Sequence, residues 1–305
     1  MEVARVLLEH NSDKNCPTMN TGMSPLHISS EKGDLEMVKL LMEYNAALEV
    51  TCKTWTALHF AVKNSHLSIA QYLIEHGAEH SAIASCPVGW ESKLMTPLDI
   101  AIESSSRNII AGLLKYPKIE TQRFATLSKL KLNQLNIQEF PEGVINLRCL
   151  TKLDLSYSQI STIPDSISNM NNLRTIDISH GAFNMFPISL CSMEFLQRVS
   201  INFNSITRLP KEILGMKRLE RLDISNNSLF YLPEELGQLA KLKKLSIEGN
   251  PLNSFTKELL SRSTVRFLEY LRQISDKHSD WRKMKLMFVG EECVGKTSIF
   301  LFYII

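Results

Sequence analysis

The stretch Leu150-Thr151-Lys152-Leu153-Asp154-Leu155 decides the fold, because its pattern of apolar residues returns at a fixed step. Two apolar residues follow the first leucine, three and five positions later. Self-similarity at a fixed period indicates stacked units, none of which can bury its apolar side chains alone. The first leucine recurs every 23 residues, at Leu127, Leu150, Leu173, Leu196, Leu219 and Leu242.

The pattern predicts that each unit forms a short strand, which lies beside the strand of the preceding unit. Apolar and polar residues alternate within the phrase, which places the apolar side chains inward. The LxxLxL phrase at this period resembles the leucine-rich repeat and implies a horseshoe of six repeats over residues 118–256. Proline keeps the same step, at Pro141, Pro164, Pro187, Pro210 and Pro233.

An asparagine after the strand bonds turn backbone in the family that these repeats resemble. Only the last three repeats have it, at Asn204, Asn227 and Asn250. The first three repeats carry other residues at this position, Leu135, Ser158 and Gly181. This departure predicts less regular turns in the first half of the horseshoe.

A second repeating pattern, with a period longer than 23 residues, occupies the first third of the chain. A Ser/Thr-x-Leu-His/Asp phrase recurs around Leu26, Leu58 and Leu98, and its longer last step predicts an insertion around residues 84–92. Each unit predicts two short helices, the first capped by Ser or Thr and the second ended by a left-handed residue such as Asn45 or Gly77. The phrase resembles the ankyrin repeat over about residues 1–117.

The first ankyrin-like unit is incomplete in this sequence. Met1 aligns with Leu35 of the next unit at an offset of 34 residues, so the chain opens in the second helix of a unit. End repeats of a solenoid normally present a polar outer face. We therefore expect an exposed apolar face here and a truncation at the N-terminus.

His27 and His59 hold the last place of the ankyrin-like phrase, and Asp99 replaces them in the third unit. One interpretation is a metal site. The favoured interpretation, implied by the ankyrin resemblance, is a histidine that hydrogen-bonds within the network of the turn.

Composition excludes several classes of protein. Hydrophobic residues make up 44% and charged residues 22% of the 305 residues, and the net charge is +2, which argues against a disordered chain and a general nucleic-acid binder. The six cysteines are at least 34 residues apart, so no zinc-type pair exists and reduced thiols are expected. Without a signal peptide or a transmembrane-length apolar run, the predicted location is cytoplasmic.

The polar residues of the predicted strands form columns on the concave face of the horseshoe. One column is mostly cationic (Lys129, Lys152, Thr175, Arg198, Arg221, Lys244), and the next contains acids (Lys131, Asp154, Asp177, Ser200, Asp223, Ser246). The favoured interpretation is a solvated face whose acids offset its cations. The alternative is a docking surface for a protein or peptide. Its candidate residues are Lys152, Asp154, Tyr157, Asp177, His180, Arg198, Phe203, Arg221 and Asp223, with the aromatic side chains as anchors.

Beyond residue 256 the repeats give way to a helical pattern at 257–283, which we expect to cap the open end of the horseshoe. Residues 284–305 then carry a G-x-x-x-x-G-K-T phrase after a strand-like apolar run. In such a loop, backbone N–H groups surround phosphate oxygens, Lys296 reaches the β- and γ-phosphates, and Thr297 binds Mg²⁺. The predicted nucleotide-binding residues are Gly290, Glu291, Glu292, Cys293, Val294, Gly295, Lys296, Thr297 and Ser298.

The order of ankyrin-like repeats, 23-residue leucine-rich repeats and a P-loop resembles the Roco family, in particular its leucine-rich-repeat kinases. The resemblance implies GTP/GDP and Mg²⁺ as cofactors of a longer, dimeric parent with a GTPase and a Ser/Thr kinase domain. It implies proteins, peptides or the parent's own catalytic domains as partners. These 305 residues, with only the start of an α/β GTPase domain, are expected to contain no complete catalytic site.

Two further functions stay open at this point. One is a pure ankyrin and leucine-rich-repeat adaptor without nucleotide activity. The other is an ATP-dependent P-loop protein of the innate-immune type, against which the order of the domains argues. The overall prediction is an ankyrin-repeat stack, a leucine-rich-repeat horseshoe and the first strand and P-loop of a truncated GTPase domain.

Overall fold

The computed structural model describes residues 1–85, 94–116, 127–252 and 266–273, and the structural statements below refer to these residues.

The first part of the chain is a stack of helix pairs. The helices are α1 (Glu2–Glu9), α2 (Pro25–Lys32), α3 (Leu35–Glu43), α4 (Ala57–Lys63), α5 (Leu67–Glu75), α6 (Pro97–Glu103) and α7 (Arg107–Leu114). First helices pack on first helices (α2, α4, α6), and second helices on second helices (α3, α5, α7). Asn45 and Gly77 follow α3 and α5 with φ of 58° and 94°, which confirms the predicted left-handed ends.

Helix α1 exposes apolar side chains among charged ones, in line with the exposed apolar residues that the sequence predicts. Val3 is 74% exposed and Leu7 55% exposed, while Leu8 packs into the core. In the third unit, β1 (Ala84–Ser85) pairs antiparallel with β2 (Leu94–Met95). The predicted insertion around residues 84–92 begins with β1, and the rest of it lies outside the described residues.

The second part of the chain is one parallel sheet with a strand from each repeat. Its strands are β3 (Lys129–Lys131), β4 (Lys152–Asp154), β5 (Thr175–Asp177), β6 (Arg198–Ser200), β7 (Arg221–Asp223) and β8 (Lys244–Ser246), paired in chain order. Every pairing joins residues 23 apart, for example Leu153 with Ile176. The central residue of every strand points into the core.

Each of the five prolines that recur at the 23-residue step directly precedes a short helical turn, on the side of the horseshoe away from the sheet. Four of these turns are 3₁₀ helices, Glu142–Asn146, Asp165–Asn169, Lys211–Gly215 and Glu234–Gln238, and the third in order is the α-helical turn α8 (Ile188–Cys191). Proline fits this place because its fixed φ suits the start of a helix, where no intrahelical N–H bond is needed.

Asparagines at one register, of which Asn227 is buried, join the last three repeats. Asn227 is 7% exposed, accepts a hydrogen bond at Oδ1 from the Ile206 N–H (3.0 Å) and donates from Nδ2 to the carbonyls of Ile201, Ile224 and Ser225 (3.0 to 3.2 Å). Asn204 and Asn250 bond the backbone in the same way. The role that the resemblance implies for these residues is confirmed.

The expectation of irregular turns in the first three repeats is wrong. Every repeat places one residue in the left-handed region at the same register, Gln134, Tyr157, His180, Phe203, Asn226 and Gly249, with φ between 51° and 76°. The backbone N–H of this residue bonds the next repeat, as from Tyr157 to the Ser179 carbonyl (2.9 Å). Because the main chain makes these bonds, the turn keeps its shape without the asparagine.

The two solenoids share one continuous apolar core. At their junction, a Cβ on Gly143 would lie 2.7 Å from the Leu114 carbonyl oxygen, so only glycine allows this approach. Arg107 of α7 also donates to Asn133 Oδ1 (3.1 Å). The ankyrin-like stack therefore caps the first leucine-rich repeat.

The far end of the horseshoe is covered by a helix at 266–273. Phe267, Leu268 and Leu271 are buried, and Arg272 Nε donates to the Gly237 carbonyl (3.0 Å). The predicted boundaries of this segment, and of the other domains, stay predictions.

The described cysteines, Cys16, Cys52, Cys149 and Cys191, are free thiols. Burial raises the pKa of Cys191 to about 12, which keeps this thiol protonated. Across the described ranges, no helix combines the length and the apolar character that crossing a bilayer requires.

We expect Asn227→Ala to lower the free energy of unfolding by ~3 kcal/mol, because it leaves several buried backbone groups without their hydrogen-bond partner. Urea denaturation followed by circular dichroism measures the loss. Ser158→Ala, at the same position of an earlier repeat, is the control and should cost less than half as much. Equal losses for the two variants would contradict the structural role of the asparagine.

Candidate protein-binding surface

The predicted cationic column exists as one line on the concave face. Strand pairing places Arg198 beside Arg221 and Arg221 beside Lys244, and all three side chains are exposed. Lys152 lies on the same line, beside Thr175. Neighbouring members are about 4.8 Å apart, the spacing of adjacent strands. The surface therefore concentrates positive charge along one side of the sheet.

The aspartates of the acidic column stabilise their own turns by hydrogen bonds, a role that the sequence analysis missed. Asp154 Oδ1 accepts from the N–H (3.1 Å) and hydroxyl (2.7 Å) of Ser156. Asp177 and Asp223 make the same pair of bonds to the serines two residues later. The Asp-x-Ser spacing was the available signal, because an aspartate side chain commonly bonds its own backbone two residues on.

Within residues 127–252, no ion pair joins the cationic and acidic columns. The described pairs in this part are Lys217 with Glu194 (2.8 Å) and Lys243 with Glu220 (3.7 Å), and both lie outside the columns. The acids weaken the repulsion among the cations only through space. The cationic column is thus available for a partner.

Three aromatic rings form a stack beside the acidic column. The ring centroids of Tyr157 and His180 are 4.0 Å apart, those of His180 and Phe203 are 4.3 Å apart, and both pairs are within 9° of parallel. Tyr157 is 53% and Phe203 48% exposed. The sequence marked these residues as anchors, but it could not show their stacking. The stack forms because successive left-handed residues at one register point their side chains in one direction.

The histidines of the ankyrin-like phrase are hydrogen-bonded within their turns, as the favoured interpretation predicts. His27 Nδ1 accepts from the Ser24 N–H (3.2 Å), which leaves Nε2 to donate to the Trp55 carbonyl of the next unit (3.1 Å). His59 Nδ1 accepts from the Thr56 N–H in the same way. These bonds close the first turns of α2 and α4.

Asp99 performs the same task in the third unit, since its Oδ2 accepts from the N–H and hydroxyl of Thr96 (both 2.9 Å). A carboxylate and an unprotonated imidazole nitrogen are both acceptors, which explains the exchange. No group of three or more candidate metal ligands occurs in the part of the chain that the structure describes.

The predicted nucleotide-binding residues Gly290 to Ser298, including the magnesium ligand Thr297, lie outside the described residues. Their role stays a prediction from the sequence.

Comparison with known proteins separates the two repeat types. The family model described as ankyrin repeats (3 copies) matches residues 1–84 and 51–123, and the leucine rich repeat model matches residues 125–183 and 195–252. The chain carries ankyrin repeats followed by leucine-rich repeats. Repeats of these kinds bind proteins, so the coarse function is protein–protein interaction.

Two similar proteins match short segments of the chain. Protein phosphatase 1 regulatory subunit 27 of Mus musculus is 41% identical over 63 residues, which are 20% of this chain and 41% of that protein. Notch-regulated ankyrin repeat-containing protein of Xenopus tropicalis is 41% identical over 54 residues, 17% of this chain and 47% of that protein. The chain thus spans less than half of the length of either relative.

A solved structure of a Leptospira interrogans LRR protein is 33% identical, with a TM-score of 0.41, and the match covers 45% of this chain and 35% of the other.

The ankyrin repeats should lose stability on acidification because of His59. Burial lowers the pKa of His59 from 6.5 to about 4, so the folded state holds this ring neutral while the unfolded state protonates it. The stabilisation is present above pH 6.5 and is lost as the pH falls toward 4, a loss of up to ~3 kcal/mol. We expect His59→Gln to flatten the dependence of thermal unfolding on pH between 7 and 4. His10→Gln, at an exposed position, should keep the slope, and an unchanged slope in His59→Gln would contradict this account.

Proposed function

We propose that this chain is the partner-binding and regulatory region of a Roco-type signalling protein, and that it docks proteins or peptides on the concave face of its leucine-rich repeats. The observation that carries the docking is the exposed aromatic stack, which comes from the same repeats as the cationic column. Partners include, in this proposal, the catalytic domains of the longer protein itself.

The aromatic stack has the properties of a binding anchor. Its residues adopt a left-handed backbone that is unfavourable for large side chains, and backbone hydrogen bonds from Tyr157, His180 and Phe203 to the next repeat hold this conformation. A partner would therefore meet rings that are already ordered, which lowers the entropy lost on binding. Large, partly exposed aromatic rings also dominate interface energies where they occur.

The distance between anchor and charge limits the shape of the partner. Tyr157 follows Lys152 by five residues, so the aromatic stack and the cationic column are at most roughly 16 Å apart, and less where the left-handed turn at Tyr157 shortens the path. An extended segment of about five residues, or one face of a helix, spans this distance. A partner that combines an apolar or aromatic group with an acidic end fits both features.

The sequence at 284–305 supports the nucleotide part of the proposal. The G-x-x-x-x-G-K-T phrase places two glycines and Lys296 where a phosphate-binding loop needs them, and GTP/GDP with Mg²⁺ follows from the Roco resemblance. A dimeric, cytoplasmic parent belongs to the same proposal. The relative whose name is protein phosphatase 1 regulatory subunit 27 supports a regulatory role for the ankyrin part.

The double variant Tyr157→Asn, Phe203→Asn should remove partners of the concave face. Asparagine fits the backbone at this place, because Asn226 holds the same position in the next repeat with φ of 51°. Proximity labelling in cells, quantified by mass spectrometry, should show at least a tenfold drop for a defined set of proteins.

The control for that experiment is Phe230→Asn, Tyr231→Asn, which removes two aromatic rings that are about as exposed but lie outside the stack. Its labelled set should match that of the unchanged chain. An unchanged set for the stack variant, with the fold intact by circular dichroism, would refute docking on the concave face.

Lys296→Ala tests the nucleotide part of the proposal. In a longer protein that contains this chain and a complete GTPase domain, we expect a DxxG and an [NT]-K-x-D motif and micromolar or tighter binding of fluorescent GTP. The variant should lose this binding at least a hundredfold, because the lysine contacts the β- and γ-phosphates. A stop codon directly after Ile305 in all transcripts would favour the pure adaptor, and GTP binding retained by the variant would refute the role of Lys296.

A further inference from the structure

The lysines and arginines of the leucine-rich repeats lie mostly along one edge of the parallel sheet, the edge at which its strands begin. Within residues 127–252, all of them lie in a strand or in the four residues before a strand, except Arg208 and Lys211. The edge where the strands begin is therefore strongly basic, although the net charge of the whole chain is only +2. A local field of this kind attracts anionic partners.

Two arginines on this edge are ordered by an aromatic ring between them. The guanidinium carbon of Arg174 lies 5.2 Å from the Phe195 ring centroid, and that of Arg218 lies 4.7 Å from it. Arg174 is 21 residues before Phe195 and Arg218 is 23 residues after it, so about one repeat of chain separates each arginine from the ring. Arg174 also donates to the carbonyls of Asn171 (2.7 Å) and Leu173 (3.2 Å), which fixes its position.

The neighbouring glutamates form their ion pairs with lysines, although Arg218, after Lys217, also contributes to lowering the pKa of Glu194. Glu194 pairs with Lys217 at 2.8 Å, and Glu220 pairs with Lys243 at 3.7 Å. Among the described residues of this edge, Glu194 and Glu220 are therefore paired with lysines and not with Arg174 or Arg218. Stacking on a ring leaves the N–H groups at the rim of the Arg218 guanidinium able to bind a carboxylate with two parallel hydrogen bonds. Nη1 of Arg174 already donates to two carbonyls, so its Nε and Nη2 are the groups that can make such a pair.

The arginine cluster continues directly into the cationic column. The backbone N–H of Arg198 bonds the Arg174 carbonyl (2.9 Å), and Arg198 pairs with Arg221, which pairs with Lys244. We call the set Arg174, Phe195, Arg198, Arg218, Arg221 and Lys244 the basic edge. It forms a curved line of positive charge across four repeats.

We propose that the basic edge binds an acidic linear segment of a partner protein, whose Asp or Glu carboxylates pair with the guanidinium groups of Arg174 and Arg218. This inference rests on the proposed docking function and names the chemistry of the partner. Charge complementarity and the ordered guanidinium groups select carboxylates on a narrow chain. A flat bilayer cannot reach Arg198 and Arg221 on a concave face.

A nucleic acid fits this surface less well than an acidic peptide does. The acids Asp154, Asp177 and Asp223 form the adjacent column, so a broad polyanion that covered the face would meet three carboxylates. A narrow peptide can follow the basic edge without covering that column.

Fluorescence anisotropy with a labelled peptide that carries six glutamates among glycine and serine tests the inference. We expect saturable binding at 100 mM salt, and at least tenfold weaker binding of the matched glutamine peptide. Arg174→Glu, Arg218→Glu should weaken binding of the acidic peptide at least tenfold. Because Arg174 also hydrogen-bonds the backbone, its substitution could disturb the fold. The single variant Arg218→Glu avoids this problem and should weaken binding of the acidic peptide at least threefold.

The matched control is Arg208→Glu, Lys211→Glu, which makes the same change of charge away from the basic edge. Its affinity for the acidic peptide should stay within twofold of that of the unchanged chain. Equal weakening by control and edge variants, or equal binding of the glutamine peptide, would overturn the inference. So would edge-dependent binding of single-stranded RNA or phosphatidylserine vesicles in place of the peptide.

The outcomes separate this inference from the docking function on which it rests. If the peptide does not bind while the Tyr157→Asn, Phe203→Asn variant still loses its partners, the acidic-segment inference fails and docking stands. If that variant loses no partner, docking on the aromatic stack fails, whatever the peptide does.

Discussion

The structure depends on one constraint, which is that each repeat can satisfy its backbone and bury its apolar side chains only against its neighbours. The 23-residue pairing meets both needs, because it places backbone donors opposite acceptors and stacks the inward leucines. Where a buried asparagine is present, as at Asn227, it adds bonds to carbonyls of its own and the preceding repeat. Where it is absent, the backbone bonds alone keep the turn.

The same constraint produces the binding surfaces. Because every strand pairs with the next at the same register, residues that recur at one exposed strand position line up across the concave face, about 4.8 Å apart. Cations at the strand starts become a charged edge, and rings at the left-handed position become a stack. The ankyrin stack and the helix at 266–273 cover the two ends of the horseshoe, so the end repeats also have neighbours to pack against.

Much of the fold could be predicted from particular residues. The leucine step predicts the six strands and their order, and Asn45 and Gly77 predict helix ends. The prolines show the same step, but the short helical turns that follow them were not predicted. The irregular turns expected from Leu135, Ser158 and Gly181 were wrong, because the backbone satisfies itself there. Of the candidate site, the cationic column was predictable. The sequence analysis treated Asp154, Asp177 and Asp223 as acids that offset the cations or meet a partner, and it missed their bonds within their own turns.

By itself, the sequence determined the two repeat registers, the columns of polar residues and the phosphate-binding phrase, because each depends on residue type at a fixed spacing along the chain. Only the tertiary structure decided which of those residues face one another. The parallel stack of Tyr157, His180 and Phe203, and the placement of Phe195 between Arg174 and Arg218, depend on backbone φ and on side-chain direction in adjacent repeats. Spacing along one chain does not specify these quantities, since side chains meet only after the repeats have stacked.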